Sequence, residues 1–421
     1  HELRNQRLIA EQFCAYAGQA LCPEDIPDVM AQAFAAMSSG RPRPVYIEIP
    51  RDILSEPAKG DWVARRPAPL PAPAADPIAR AAAALAASRR PLILTGAGAI
   101  AASATLTHLT ELLGATVISS FCGKGIVDEA HDQVLGACLS MPEARRLVRD
   151  ADVVLAIGTE LSTVEASNNT LAFNGKLIRV DIDARKMSDR YAADIAILAD
   201  AAASADALLG ALKTMTIQSA EADWAQARSD TRAALDRFGA PKAREHRMVL
   251  AAIKRAVPSD AAIVGDMTQL AYSGNHFYPV SGPRQWLHPA SYATLGYALP
   301  TAIGAQVACP GRAVISLAGD CGFQFTCQEL ATAAELKLPL VQILWNNEAL
   351  GEIRDAMVGA QIAPVEVQGL NPDFLALARA YHWRAHRAAS LSDLEAAIVE
   401  GLKADGPTLI EVREGAGDWA D

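Results

Sequence analysis

Short runs that are apolar at nearly every position punctuate the chain. They read Pro91-Leu-Ile-Leu-Thr95, Ala115-Thr-Val-Ile-Ser119, Val153-Val-Leu-Ala-Ile157, Leu177-Ile-Arg-Val-Asp181, Ala261-Ala-Ile-Val264, Ala313-Val-Ile-Ser-Leu-Ala-Gly-Asp320 and Leu340-Val-Gln-Ile-Leu-Trp-Asn-Asn347. Runs of this length without polar alternation are strands buried on both faces, the pattern of parallel sheets. The segments between them carry a helical period, as Phe325 to Lys337 does. Strands that alternate with helices predict an α/β fold.

The pattern divides the chain into units. Residues 1–56 predict a helix over Asp25 to Met37 and a strand within Gly40-Arg-Pro-Arg-Pro-Val-Tyr-Ile-Glu-Ile-Pro50, closed by proline. A lone strand with one or two helices cannot make a core. Residues 57–76 are rich in Pro and Ala and read as an extended linker. Residues 77–213 form a central α/β domain, 214–247 a polar helical linker, and 248–421 a second α/β domain. Gly96-Ala-Gly98, after the first central strand, lacks the third glycine of a dinucleotide fingerprint and reads as a tight strand-to-helix turn.

Candidate chemistry lies in the last unit. Ligands collect at the carboxyl ends of strands in an open parallel sheet, so Asp320 and Asn347 emerge on one side. Their oxygens are hard ligands suited to Mg²⁺ or Ca²⁺. The strand ending at Val264 runs into Gly265-Asp266-Met267-Thr268-Gln269, where a helix starts and its N–H groups can receive an anion.

Gly319-Asp320 and Asn346-Asn347, on two strands with a helix between, resemble the thiamine-diphosphate motif shared by pyruvate decarboxylase, pyruvate oxidase and acetolactate synthase. The resemblance covers nearly the whole chain and implies α/β parallel-sheet domains of the pyruvate oxidase/decarboxylase type. It implies thiamine diphosphate and Mg²⁺, with the metal on Asp320, Asn347 and the main-chain oxygen of Ala349. Thr268 and Gln269 match the family's diphosphate-contacting pair. Cys321 stands where the family usually has Gly, and Gly322 after it still permits a close backbone approach.

Ser291-Tyr-Ala-Thr-Leu-Gly-Tyr-Ala-Leu-Pro-Thr-Ala-Ile-Gly304 resembles the segment that bends the cofactor; read alone it is a core helix. Leu295 matches the apolar wedge under the cofactor, and the main-chain oxygen of Ala293 would hold its exocyclic amine. Bending makes removal of the reactive proton intramolecular. His276 and His288 are the histidines nearest these segments. Residues 1–56 are similar to the tail of the family's N-terminal pyrimidine-binding domain, which would make that domain truncated and leave the activating glutamate outside this chain. Glu2, Glu11, Glu24 and Glu48 all fall downstream of it. The synthases carry an arginine-rich stretch for FAD where this chain has Gly158-Thr-Glu-Leu-Ser162, a departure that speaks against FAD.

The residues after Asn347 would line the pocket mouth, where Glu348, Glu352 and Asp355 supply negative charge for a cationic substrate tail. Gly351-Glu-Ile-Arg354, Pro364-Val-Glu-Val367 and the opening His1-Glu-Leu3 are similar to the family branch that decarboxylates a guanidino 2-oxo acid in arginine breakdown. A guanidinium would welcome a carboxylate partner. The resemblance therefore implies a carboxy-lyase acting on 5-guanidino-2-oxopentanoate. A carboligase such as acetolactate synthase and a non-catalytic cofactor-binding or regulatory protein are the alternatives. The family's sites form between subunits, which implies a homodimer or homotetramer.

Composition narrows the rest. A 51% hydrophobic content describes an ordinary globular chain, and the formal net charge of −10 without a Lys/Arg cluster argues against a nucleic-acid partner. Seven scattered cysteines without a C-x-x-C pair read as reduced thiols of a cytoplasmic protein. No apolar run reaches the roughly 20 residues of a membrane span.

Overall fold

The computed structural model describes residues 3–60, 63, 65, 68–237 and 241–415. His1 and Glu2, part of the 57–76 stretch and residues 416–421 lie outside them. None of the described helices is long and apolar enough to cross a membrane.

The first unit runs α1 (Gln6–Ala10), β1 (Tyr16–Gln19), α2 (Ile26–Ser38) and β2 (Val45–Glu48). β1 and β2 pair in parallel, with Tyr16 opposite Val45 and Gln19 opposite Glu48. The single strand expected here is thus corrected to two. Tyr16-Ala-Gly-Gln19 has no β-branched residue, so its sequence carries almost no strand signal. Phe13, Leu21 and Phe34 remain exposed on this unit.

The second unit comprises α3 (Ala75–Ala86), β3 (Pro91–Thr95), α4 (Ser103–Leu113), β4 (Thr116–Ser119), α5 (Pro142–Asp150), β5 (Val153–Ile157), β6 (Lys176–Asp181), β7 (Ile195–Leu198) and α6 (Ala201–Leu212). The sheet is parallel in the order β4-β3-β5-β6-β7. β7 was not expected; it is a four-residue edge strand with only Ile195 and Ile197 buried. Gly96 and Gly98 are explained by close packing. Their N–H groups donate to Ile157 and Gly158 carbonyls, and a Cβ on Gly98 would sit 2.9 Å from the Gly158 Cα.

The stretch expected as one polar linker is two helices, α7 (Ala222–Arg237) and α8 (Pro241–Ala256). Buried Trp224 ties α7 to the second unit through its indole N–H, which donates to the Pro91 carbonyl at 3.2 Å. α8 instead buries Val249, Leu250 and Ile253 against the last sheet.

That sheet is built from β8 (Ala262–Gly265), α9 (Gln269–Phe277), β9 (Trp286–Leu287), α10 (Ala298–Ala308), β10 (Val314–Gly319), α11 (Asp320–Gln324), α12 (Leu330–Glu335), β11 (Val341–Asn346), α13 (Gly351–Gly359), α14 (Phe374–Ala380), β12 (Arg384–Arg387), α15 (Leu391–Leu402) and β13 (Thr408–Arg413). All pairings are parallel, in the order β12-β13-β11-β10-β8-β9. Ile315, Leu317, Ile343, Trp345 and Ile410 pack on one face, and Val314, Ala318, Leu344 and Leu409 on the other. Burial on both faces is why these strands read as unbroken apolar runs.

One helical expectation is corrected. The helix after β10 begins at Asp320 and breaks at Phe325-Thr326, because the Thr326 hydroxyl donates to the Gly296 carbonyl at 3.0 Å and its backbone leaves helical geometry. The 291–304 stretch is helical only from Ala298.

A clasp joins the two larger units. The Lys124 ammonium and Glu129 carboxylate form an ion pair at 2.9 Å, 1% and 7% exposed. Glu129 also receives the Val280 N–H and donates its own N–H to the Val280 carbonyl. Lys124→Met leaves that carboxylate buried and uncompensated. Urea denaturation should show a loss of about 3–5 kcal/mol, and the double change with Glu129→Gln should recover much of it.

Candidate active site

The chain order reverses beside β8: β9 lies on one side of it and β10 on the other, so their carboxyl ends open a crevice at a topological switch point. Thr268 and Gln269 leave β8 there, Asp320 leaves β10 and Asn347 leaves β11. Thr268 is buried at the N-cap of α9 and packs against Gly319, where a Cβ would come within 2.8 Å of the Thr268 hydroxyl.

Asp320 is 2% exposed and faces no cation among the described residues. Its carboxylate accepts from the Asn371 amide at 2.6 Å and from backbone N–H groups that include Ala349. Burial pushes its pKa above the ordinary carboxylate value, and these donors only partly oppose the rise. Asn347 is half-buried; its amide donates to Gln269 Oε1 at 3.3 Å, and its own oxygen accepts the Ala349 N–H. Asp320, Asn347, Ala349, Thr268 and Gln269 therefore share one crevice.

Leu295 and Ala293 lie on the irregular segment before α10. Asp266, 1% exposed, shapes it by accepting from the N–H groups of Met267, Gly296 and Ala298 at 2.8, 3.2 and 3.0 Å. Burial raises the Asp266 pKa as well. The Leu295 side chain reaches Gly322, where a Cβ would stand 3.4 Å from it and 3.0 Å from Asp266. Ala293 is exposed with a φ of 53°, its N–H held by the Pro289 carbonyl. Cys321 sits in the first turn of α11, its thiol pushed up to about 11 by burial and the adjacent Asp320 charge. It is a neutral thiol at pH 7.

The three acids proposed for the pocket mouth differ in state. Gln269 bridges to two of them, donating to Glu352 at 3.3 Å and to Asp355 at 2.9 Å. Asp355 also pairs with Lys242 at 2.9 Å and Arg354 at 3.2 Å. Although burial acts to raise its pKa, donation from Gln269, Lys242 and Arg354 holds it down at about 2. Glu348 is exposed on the turn before α13 with a φ of 53°.

The histidines take structural positions. His276 Nδ1 donates to the Ala137 carbonyl at 2.7 Å, and its ring packs on Phe121 of the second unit. His288 stacks edge-on against Tyr272, with its pKa lowered to about 4 by burial.

Several positioning residues escaped the sequence reading. Asp266 stood inside a quoted motif but had no assigned role. Glu411 accepts from the Asn346 amide at 2.7 Å, and the Asn371 amide donates to Asn346 as well as Asp320. Contacts across such separations leave no periodic trace.

The crevice fits a metal diphosphate. A buried carboxylate without a counter-cation beside an amide oxygen suits Mg²⁺, which takes one or two carboxylates and completes its shell with phosphate and water oxygens. Comparison with known proteins agrees. The thiamine pyrophosphate enzyme C-terminal TPP binding domain matches residues 266–412, and the central domain of the same enzymes matches residues 78–212. The chain belongs to the thiamine pyrophosphate enzyme family. Over 98% of this chain it is 43% identical to a probable 2-ketoarginine decarboxylase of Pseudomonas aeruginosa, covering 74% of that protein. It is 31% identical to a probable acetolactate synthase large subunit of Methanocaldococcus jannaschii, over 93% of this chain and 70% of that one. Against acetolactate synthase isozyme 3 of Escherichia coli the identity is 30%, over 90% and 69%. The thiamine pyrophosphate enzyme domains thus coincide with the second and third sheets, with the diphosphate motif on the third.

Asp320→Ala should abolish Mg²⁺-dependent thiamine diphosphate binding in calorimetry. Glu411→Gln, which loosens Asn346, should weaken it by about 10–100-fold.

Proposed function

We propose that this chain catalyses the thiamine-diphosphate and Mg²⁺ dependent decarboxylation of 5-guanidino-2-oxopentanoate. The observation that carries the cofactor part is Asp320, a buried carboxylate without a cation, set beside Asn347 at the switch point. The substrate part rests on the similarity to the probable 2-ketoarginine decarboxylase.

In this reading Asp320, Asn347 and the Ala349 main chain hold Mg²⁺, and Thr268, Gln269 and the first turn of α11 at Cys321 and Gly322 receive the diphosphate. When bound, thiamine diphosphate supplies the nucleophilic carbon and the electron sink for loss of CO₂. The protein orients and desolvates. Leu295, propped on Gly322 by the turn that Asp266 organises, would hold the cofactor bent, and the Ala293 main-chain oxygen would accept a hydrogen bond from its amine. Loss of CO₂ and protonation at the former keto carbon give 4-guanidinobutanal. Glu348 and Glu352 draw the cation toward the mouth, whereas Asp355 is engaged by Lys242 and sets the position of Gln269. Exposed Tyr292, Phe325 and Leu370 beside the crevice support a second subunit completing the site, as a homodimer or homotetramer.

The acetolactate synthases, at 30–31% identity, favour a second reading in which the same centre joins two 2-oxo acids. Carbon dioxide release with product analysis separates the two. With Mg²⁺ and thiamine diphosphate, the guanidino acid should yield CO₂ and an aldehyde, and pyruvate should yield little acetolactate; the reverse preference would overturn the decarboxylase reading. Leu295→Ala should lower kcat by about 10²-fold while cofactor affinity changes far less, since orientation of the reacting groups is what it removes.

A further inference from the structure

One carboxylate at the junction of the second and third units takes no part in the motif. Asp320 and Asp266 serve the motif, Asp355 is held by Lys242 and Arg354, and Glu348 and Glu352 lie at the surface. Glu165 stands apart. It sits on the loop after β5, which turns through left-handed residues at Leu161, Ser167 and Asn168. Its neighbour Glu160 faces Arg41, Arg43 and Lys186. Glu165 meets no cation among the described residues, and its Oε1 accepts only the Phe121 N–H, at 2.9 Å.

The position of that contact matters. Phe121, Cys122 and Gly123 form the turn after β4 that faces the third unit, and the Phe121 ring lies 5.5 Å from His276 of α9. Burial pushes the Cys122 thiol up, helped by the Glu165 charge, and burial likewise raises the Tyr297 hydroxyl, with a lesser push from Cys122. Tyr297 stands two residues after Leu295. Glu165 is therefore a half-buried carboxylate bonded to the turn that forms the wall between the second and third units.

We infer that Glu165 is a specificity-determining residue that receives the cationic tail of the substrate. The inference rests on the proposed decarboxylase reading and names the partner that reading requires. A guanidinium in a partly dry wall needs a carboxylate, and a carboxylate buried there without a cation needs one in return. Burial raises the Glu165 pKa to about 7, against the Phe121 N–H that lowers it; Glu160 adds a further push upward. Cys122 and Glu160 are the titratable groups that bear on it. The guanidinium stays charged throughout, so binding of the tail needs the ionised carboxylate. kcat/KM for the guanidino acid should rise with pH to a plateau above about 7.

The test compares the guanidino acid with 2-oxohexanoate, a neutral-tailed acid, in the wild-type holoenzyme and in Glu165→Gln across pH 5.5–8.5. In the wild type the pH step should appear with the guanidino acid and not with the neutral one. Glu165→Gln should cut the preference for the guanidino acid by roughly 10²-fold, mostly through KM, and erase the step. Because the raised pKa means the folded state holds the proton more tightly, the wild type should lose more melting temperature between pH 4.5 and 7 than the Gln variant does. An unchanged preference, or the same pH profile for both acids in the wild type, would overturn the inference while leaving the decarboxylase reading intact. A wild-type enzyme that releases CO₂ from 2-oxohexanoate and none from the guanidino acid would overturn both.

Discussion

In-register parallel pairing of β10 with β11, Gly319 opposite Trp345, is the constraint from which the site follows. It brings Asp320 and the Asn346-Asn347 pair out at one edge of the sheet. Because both faces of these strands are buried, the register cannot slip without moving apolar side chains out of the two cores. Asp320 is consequently held in a place where its charge has no counterpart among the described residues, and burial makes that costly unless a cation is supplied. A metal ion held there, as proposed, would offset that cost.

Around this edge the polar groups form a chain of mutual restraint. Glu411 fixes Asn346, Asn346 and Asp320 share the Asn371 amide, and Gln269 spans from Asn347 to Asp355. Asp266 does the corresponding work for the wedge, since three N–H groups of an otherwise irregular segment converge on it. A buried network of this kind specifies one conformation only if each member is satisfied. Both ends of the crevice are thereby fixed before any ligand enters.

Much of this was legible in the chain because parallel strands buried on both faces announce themselves. β3, β5, β10 and β11 read as apolar runs, and the motif residues at their ends inherit a common edge from the sheet alone. What escaped depended on contacts between distant residues. β1 contains Ala, Gly and Gln, so only its partner β2 makes it a strand. The helix expected after β10 breaks because the Thr326 hydroxyl bonds to Gly296, a partner on another segment. Asn371 and Glu411 join the site only through tertiary folding. The acids after Asn347 were visible as charges, but their different states follow from Lys242, which arrives from α8.

The clasp of Lys124, Glu129 and Val280 has a geometric consequence. It binds the turn that carries Phe121 and Cys122 to the unit that carries the diphosphate motif, and Gly125, with a φ of 76°, abuts the Gly282 carbonyl beside it. The clasp ties the wall to the unit of the motif, so under the proposed roles the span from Glu165 to the cofactor would act as a ruler. Substrates would be graded by how far their tails extend from the keto carbon, and a homologue one methylene short or long would misalign even with its charge unchanged.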